Sequence, residues 1–171
     1  GRVQERLEDW NGAEQAFNEV LRLSRQISYV RGEAYALRGL AVVQNSRGNH
    51  IDALALLDRA ALQQDATTDQ MLRAQILLQR GIALRGLQRP REGIEALRSA
   101  LELFVKADSV HDVGSARAEL ARALAAIGDW RAAYEQHVQF QTALLDVLEE
   151  PVNRLHRLGR VALEDPDDDE A

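Results

Sequence analysis

The sequence predicts an all-α fold: a right-handed α-solenoid of about four helical hairpins, closed by a C-terminal capping helix. Three observations predict it. First, the pair Asp9-Trp10 returns as Asp129-Trp130, three steps of 40 residues later, and the intermediate steps fall on Asn49-His50 and Arg89-Pro90. Second, a small residue follows each pair at one offset, giving the column Ala13, Ala53, Gly93 and Ala133. Third, aromatics make up only 5% of the chain while Ala, Leu, Arg, Gln and Glu dominate, the residues that cost least in a helix. One hairpin repeated four times describes a stacked array rather than a single-core enzyme domain.

Taken in order, Gly1 to Leu7 reads as the tail of a first helix. Asp9 is placed to cap a second helix opening at Trp10 and running to about Gln26, with Ala13, Phe17, Val20 and Leu21 on its buried stripe. The second hairpin pairs roughly 31–47 with 50–63 across Arg47-Gly48-Asn49, and its stripe is Ala53, Leu57 and Ala60. Thr67 and Gln70 have capping-box spacing before the third hairpin, about 69–86 and 90–107. Pro90 stands at a helix first turn, where its missing N–H costs nothing. Gly93, Leu97 and Ala100 continue the stripe. Ser109 and Asp112 restart the chain into 110–127, and Gly128-Asp129 closes that helix and caps the next. The last repeat helix carries Ala133, His137 and Phe140 and is expected to reach Glu149, before Pro151. An amphipathic segment, Val152 to Leu163, is expected to fold back as an end cap. The array therefore spans 1–150, with repeats at about 1–27, 31–63, 69–107 and 110–150.

A second small column, Gly1, Ala41, Gly81 and Ala121, lies on the partner helices at the same 40-residue step. Two small columns in register allow paired helices to approach closely; a large residue there would cost about 1–3 kcal/mol. The triplets Ala13-Phe17-Val20, Ala53-Leu57-Ala60 and Gly93-Leu97-Ala100 resemble the second-helix pattern of the tetratricopeptide repeat (TPR) family. Ala133-His137-Phe140 departs from it, because Phe140 stands where a small residue belongs. The period departs too: the family repeats about every 34 residues, this chain every 40, with the extra length around Ser28–Gly32, Gln64–Thr68 and Asp108–His111. Long repeats of this kind are similar to the sensor or interaction regions of large bacterial signalling and transcription-regulating proteins. The resemblance covers about residues 1–143 and implies a scaffold that binds protein.

The charge belongs to the tail. The net charge is −6, yet Glu164, Asp165, Asp167, Asp168, Asp169 and Glu170 alone supply six negatives, leaving a neutral body. All basic residues but Lys106 are arginine. The acidic run is expected to be solvated and without order of its own. A neutral body without a basic stripe argues against nucleic acid. No apolar run approaches membrane-spanning length and no signal peptide is visible, so a cytoplasmic location is expected. Met71 is the sole methionine and the chain opens partway through a helix, so a fragment of a longer protein is expected.

Catalytic patterns are missing. His50, His111, His137 and His156 fall on different helices, with no i,i+4 His pair and no His-Glu-x-x-His cluster. There is no phosphate-cradling glycine loop with lysine and no Gly-x-Ser-x-Gly elbow. No cysteine is available for a disulfide or a metal. Glu149-Glu150 face different directions on a helix and read as solvated surface. His137 reads as a core or interface histidine, and Trp10 and Trp130, by their matched offset, as packing at repeat junctions. No enzyme, cofactor or metal site is expected.

What remains is a surface. In a solenoid of hairpins the first helices line the concave side. The rows expected there are Val42, Ile82 and Arg122, with Arg2 at the incomplete end; Asn45, Arg85 and Ala125; Tyr35, Gln75 and Ser115; and Arg38, Leu78 and Ala118. Gly39, Gln79 and Glu119 lie beside them. An apolar floor of Val42, Leu78 and Ile82, amides at Asn45, Gln75 and Gln79, and guanidinium groups at Arg38, Arg85 and Arg122 suit an acidic peptide. Val42 stands where the family's terminal-carboxylate clamp needs asparagine, which argues against that clamp. Two functional expectations follow: a partner-binding groove, or self-association through the acidic tail or the incomplete first repeat.

Overall fold

Helix after helix in this chain ends in the same backbone device. Ser28, Gly48, Gln88, Asp108 and Gly128 all have left-handed φ, from +53° to +82°. Each N–H returns to a carbonyl three residues back, and the next N–H returns five back, as in Gly48 to Asn45 (3.1 Å) and Asn49 to Gln44 (2.9 Å). These are Schellman closures, which satisfy carbonyls otherwise orphaned at a helix end. Their positions are 20 residues apart or a multiple of it, so the 40-residue repeat is two equal helix-plus-turn units.

The computed structural model describes residues 2–64, 68–139 and 141–142, the side chains of residues 2–8 and 64 excepted. The helices are α1 (Arg2–Gln26), α2 (Val30–Ser46), α3 (His50–Gln64), α4 (Gln70–Gly86), α5 (Pro90–Lys106) and α6 (Val110–Ala126). A seventh, α7, covers 130–139. No strand occurs among the described residues. From α1 to α6 each helix packs on the next; in addition α2 touches α4 and α4 touches α6, whereas α1 and α3, or α3 and α5, do not meet. The even-numbered helices thus form a tight inner layer and the odd-numbered ones a splayed outer layer. This is an all-α solenoid-like array, as the periodicity predicts.

Two apolar clusters fill it. One joins α1 to α4 around Leu21, Leu37, Leu57 and Ile76; the other joins α4 to α7 around Leu78, Leu97, Phe104 and Leu120. Helix α4 feeds both, sending Leu72, Ile76 and Ala83 to the first and Ala74 and Leu78 to the second. Full burial of each such leucine or isoleucine contributes about 1.5–3 kcal/mol.

The small columns meet as expected. A Cβ on Gly81 would run into the Leu97 side chain, and one on Gly93 would lie 3.0 Å from the Gly81 carbonyl oxygen. Ala41 and Ala53 are fully buried, Ala133 nearly so, and Ala13 and Ala121 half-buried. Gly1 lies outside the described residues.

Several local expectations need correction. The chain does not turn at Asp9: α1 runs unbroken through Asp9-Trp10. Glu8 stands there in place of Gly48 or Gly128 and stays helical. Among the described residues no inner helix precedes α1, and Val20 is 38% exposed, although its counterparts Ala60 and Ala100 are fully buried. The cap of α4 is Asp69, whose Oδ1 accepts from the Leu72 N–H at 3.0 Å, with Gln70 as the first helical residue; Thr67 is outside the described residues. Ser109 makes no side-chain cap and donates instead to Asp112 at 2.6 Å. Asp129 does cap α7, accepting from Ala132 at 3.1 Å. Trp130 does not pack at a junction but is 70% exposed, and His137 is exposed too. Phe140, the expected extension to Glu149, the capping segment 152–163 and the tail 164–171 fall outside the described residues.

Candidate partner-binding face

The inner layer carries the expected rows, but its polar groups are mostly engaged with one another. Asn45 is buried, and its Nδ2 donates to the Gln79 backbone carbonyl (3.0 Å) and to Gln79 Oε1 (3.2 Å). Its Oδ1 lies 3.1 Å from His50 Nδ1, so one asparagine ties α2, α3 and α4 together. One repeat later, Arg85 Nη2 reaches Glu119 at 3.2 Å, and Arg122 closes on the same carboxylate from the other side. Asn45 is therefore not open to a peptide backbone, the Gln79 side-chain oxygen is already engaged, and the Arg85 and Arg122 charges are partly neutralised by Glu119. Leu78 is 8% exposed and belongs to the core, not to the floor of a groove. Val42, Gln75, Ile82 and Ser115 remain half-buried on the face, and the Ser115 hydroxyl is turned back onto the His111 carbonyl (3.2 Å). Arg2 has a described backbone only.

The open part of the face is at the α2 end. Tyr35 is 48% exposed, and the Arg38 guanidinium lies over its ring, 4.9 Å from the centroid. From behind, Phe17 of α1 meets Tyr35 edge-on, at 6.3 Å and 61°, in the space that the absence of a side chain on Gly39 leaves. The Arg38 Nε is buried without a hydrogen-bond partner, and no carboxylate among the described residues forms an ion pair with it. Phe17-Tyr35-Arg38 is thus a preassembled stack ending in an unneutralised cation; such a cation–π contact is worth about 0.5–1 kcal/mol where exposed. Sequence reasoning placed Phe17 only on the core stripe. Gly39, where Gln79 and Glu119 stand in later repeats, was the visible clue that a bulky neighbour enters there.

The opposite side has a groove of about 510 Å³ between α3 and α5, floored by Leu54, Leu77 and Leu84. The ion pair Arg80–Asp58 and the side chains of Arg89 and Glu92 rim it. The Arg89 hydrogen bonds hold the Glu92 carboxyl below its ordinary range. The carboxyls of Glu19 and Glu102 are lowered in the same way, by Arg22 and Lys106. All three pairs stand on outer helices, away from the inner face. No group of three or more metal-ligating side chains occurs among the described residues, and no described helix is long and apolar enough to cross a membrane.

No protein-family model matches the chain, and no curated protein does. Among solved structures it is similar to the crystal structure of BtubC (BKLC) from P. vanneervenii, with a TM-score of 0.62 at 14% sequence identity. The likeness covers 78% of this chain and 56% of that one, so the chain spans little more than half the length of that structure. At this identity the shared property is the fold: an array of packed helices.

Proposed function

We propose that this chain is a non-catalytic protein–protein interaction module of TPR type, the scaffold or sensor part of a larger bacterial regulatory protein. Its inner face, α2–α4–α6, docks a peptide or partner domain. The observation that carries the reading is the Tyr35–Arg38 stack: an exposed aromatic ring under a guanidinium that has no counter-ion among the described residues. A carboxylate on the partner would complete Arg38 with a charge-assisted, bidentate pair, while Tyr35, Val42 and Ile82 supply apolar contact. Compared with the sequence expectation, the recognition charge moves to one end of the face, because Glu119 already occupies Arg85 and Arg122.

The test is a crosslinking pull-down with mass spectrometry from cell extract. Arg38→Glu and Tyr35→Ala should each abolish partner capture at unchanged helicity, and Arg122→Glu should weaken it less. Equal capture by wild type and the first two variants would rule the inner face out.

Self-association is the second reading, favoured by Val20, Leu23 and Ile27, which stand exposed at the α1 end. Light scattering of the chain with and without residues 164–171 separates the two. A dimer lost on truncation would assign the tail to a neighbouring copy.

A further inference from the structure

Ala96 leaves open a space that the neighbouring repeats fill. Forty residues earlier its position holds Leu56, which packs on the first apolar cluster. Forty later it holds Gln136, whose amide oxygen is buried. Ala96 joins neither cluster and lines the groove between α3 and α5 instead. The same groove has Arg80 at the position of Leu40 and Leu120, both of which are buried. Leu37 is 1% exposed, whereas its counterpart Leu77 is only partly buried and lies in the groove floor. In α6 the corresponding Arg117 reaches across to Gln139 of α7 at 2.5 Å. Of three equivalent places along the outer layer, only the middle one is left without a filling side chain among the described residues.

The rim says what would fill it. Asp58 is paired with Arg80, and Glu92 with Arg89, so neither pair calls for a counter-ion. Glu95 is different: it is exposed, and its carboxylate forms no ion pair or hydrogen bond among the described residues, although Arg91 and Arg98 stand one turn away on α5. The groove therefore carries one uncompensated negative charge beside a leucine floor. Half of its lining residues are charged, which is unlike the mostly apolar wall of a small-molecule pocket and like the polar rim of a protein interface. Its walls are helical faces. On α5, Glu92, Glu95, Ala96 and Ser99 follow i, i+3, i+4 and i+7 spacing, two turns or about 10 Å. The walls are helices whose backbone groups are already bonded internally, so an extended peptide would find no main-chain pairing there, whereas a helix brings its own.

We propose that the α3–α5 groove is a second docking site, which takes the apolar ridge of an amphipathic helix from another protein, with a lysine or arginine of that helix paired to Glu95. Leucine-sized side chains on two successive turns of the partner would then supply over Leu54 and Leu77 the cover that Ala96 withholds. The groove lies opposite the inner face, so it is independent of docking at Tyr35 and Arg38.

The test is an NMR titration of the full, isotope-labelled chain with two alanine-based helical peptides of about 16 residues, a length at which such helices form. One carries leucine at i, i+3 and i+7 with lysine at i+4; the other has glutamate in place of that lysine. The lysine peptide should give saturable shifts centred on Leu77, Glu95 and Ser99, and the glutamate peptide should bind at least about tenfold more weakly at low salt. Ala96→Leu, which copies Leu56, should abolish the lysine-peptide shifts and raise the urea midpoint. Ser99→Arg, which copies Arg59 on the exposed rim, should weaken the same peptide without touching the core, and reads out the site even if the first variant does not fold. No saturable binding, equal binding of the two peptides, or binding that survives both substitutions would overturn the proposal. A dimer of the chain alone that Ala96→Leu dissolves in light scattering would give the groove to a second copy, and saturation by butylammonium alone would give it to a small cation; either result overturns it too.

Discussion

The Arg85 guanidinium on α4 meets the Glu119 carboxylate on α6 at 3.2 Å, in the place where, one repeat earlier, Asn45 on α2 meets Gln79 on α4. Both pairs are separated by 34 residues, so one geometric joint between neighbouring inner helices is filled first by amides and then by an ion pair. The amide joint is insensitive to salt, whereas the ionic one is not. With Arg85 and Glu119 both partly buried, a double-mutant cycle using Arg85→Ala and Glu119→Ala should give a coupling of about 0.5–1 kcal/mol in urea unfolding. The coupling should shrink in 1 M salt. A cycle on Asn45→Ala and Gln79→Ala should keep its value in salt, and equal salt sensitivity for the two joints would contradict this account.

Gly81 and Leu97 interlock, since any Cβ on the glycine enters the leucine side chain. Gly81→Ala should destabilise by about 1–3 kcal/mol through overpacking. Leu97→Ala should cost about 2–5 kcal/mol through the cavity it leaves. The double variant should lose less than the sum, because the alanine methyl occupies part of that cavity. Strict additivity in chemical denaturation would mean that the two residues do not share a contact.

Ser28, Gln88 and Asp108 hold left-handed conformations that side chains with a Cβ disfavour. Replacing each by glycine should therefore stabilise, by about 0.5–1 kcal/mol per site, as a raised urea midpoint at unchanged m-value. Gly48→Ala and Gly128→Ala should move the midpoint the other way by a similar amount, because those two turns already carry the suited residue. A lowered midpoint in Gln88→Gly would show that the turn needs more than the φ angle.

The Glu19 carboxyl is held below its ordinary range, chiefly by hydrogen bonds from Arg22, with Coulomb attraction to the same group assisting. Its folded pKa is depressed, so the pair's contribution is present above the unfolded value of about 4.3 and is lost as pH falls through the folded one. Both side chains are more than half exposed, so the effect on global unfolding should be too small to resolve. The local signature is an NMR titration of the Glu19 side chain that moves up toward the ordinary value in Arg22→Gln. An unchanged midpoint in that variant would remove Arg22 as the cause.

The architecture was legible because two period-bearing signals, the Asp-Trp recurrence and the small columns, are consequences of close helix packing and survive in sequence. The turns were only partly legible. Gly48 and Gly128 announce themselves, but Ser28, Gln88 and Asp108 adopt the same backbone without a glycine. The reverse error occurred at Asp9, where a good capping residue stays inside α1 because the chain before it does not enter a left-handed turn. On the inner face, row positions were readable from the 40-residue step, whereas the pairings were not. That Glu119 would take both Arg85 and Arg122, or that Leu78 would turn into the core, depends on the rotation of each helix about its axis. A repeat length does not specify that angle.

Because α4 lends side chains to both apolar clusters, it is the point at which the array's two halves can sense each other. In a linear stack, stability is close to a chain of nearest-neighbour terms, so a perturbation fades over about one unit unless an intervening element is common to both sides. A slight roll of α4 about its long axis would tighten Leu72 and Ile76 while loosening Ala74 and Leu78, or the reverse. A displacement of that one rod would therefore be felt in the side-chain packing on both of its flanks.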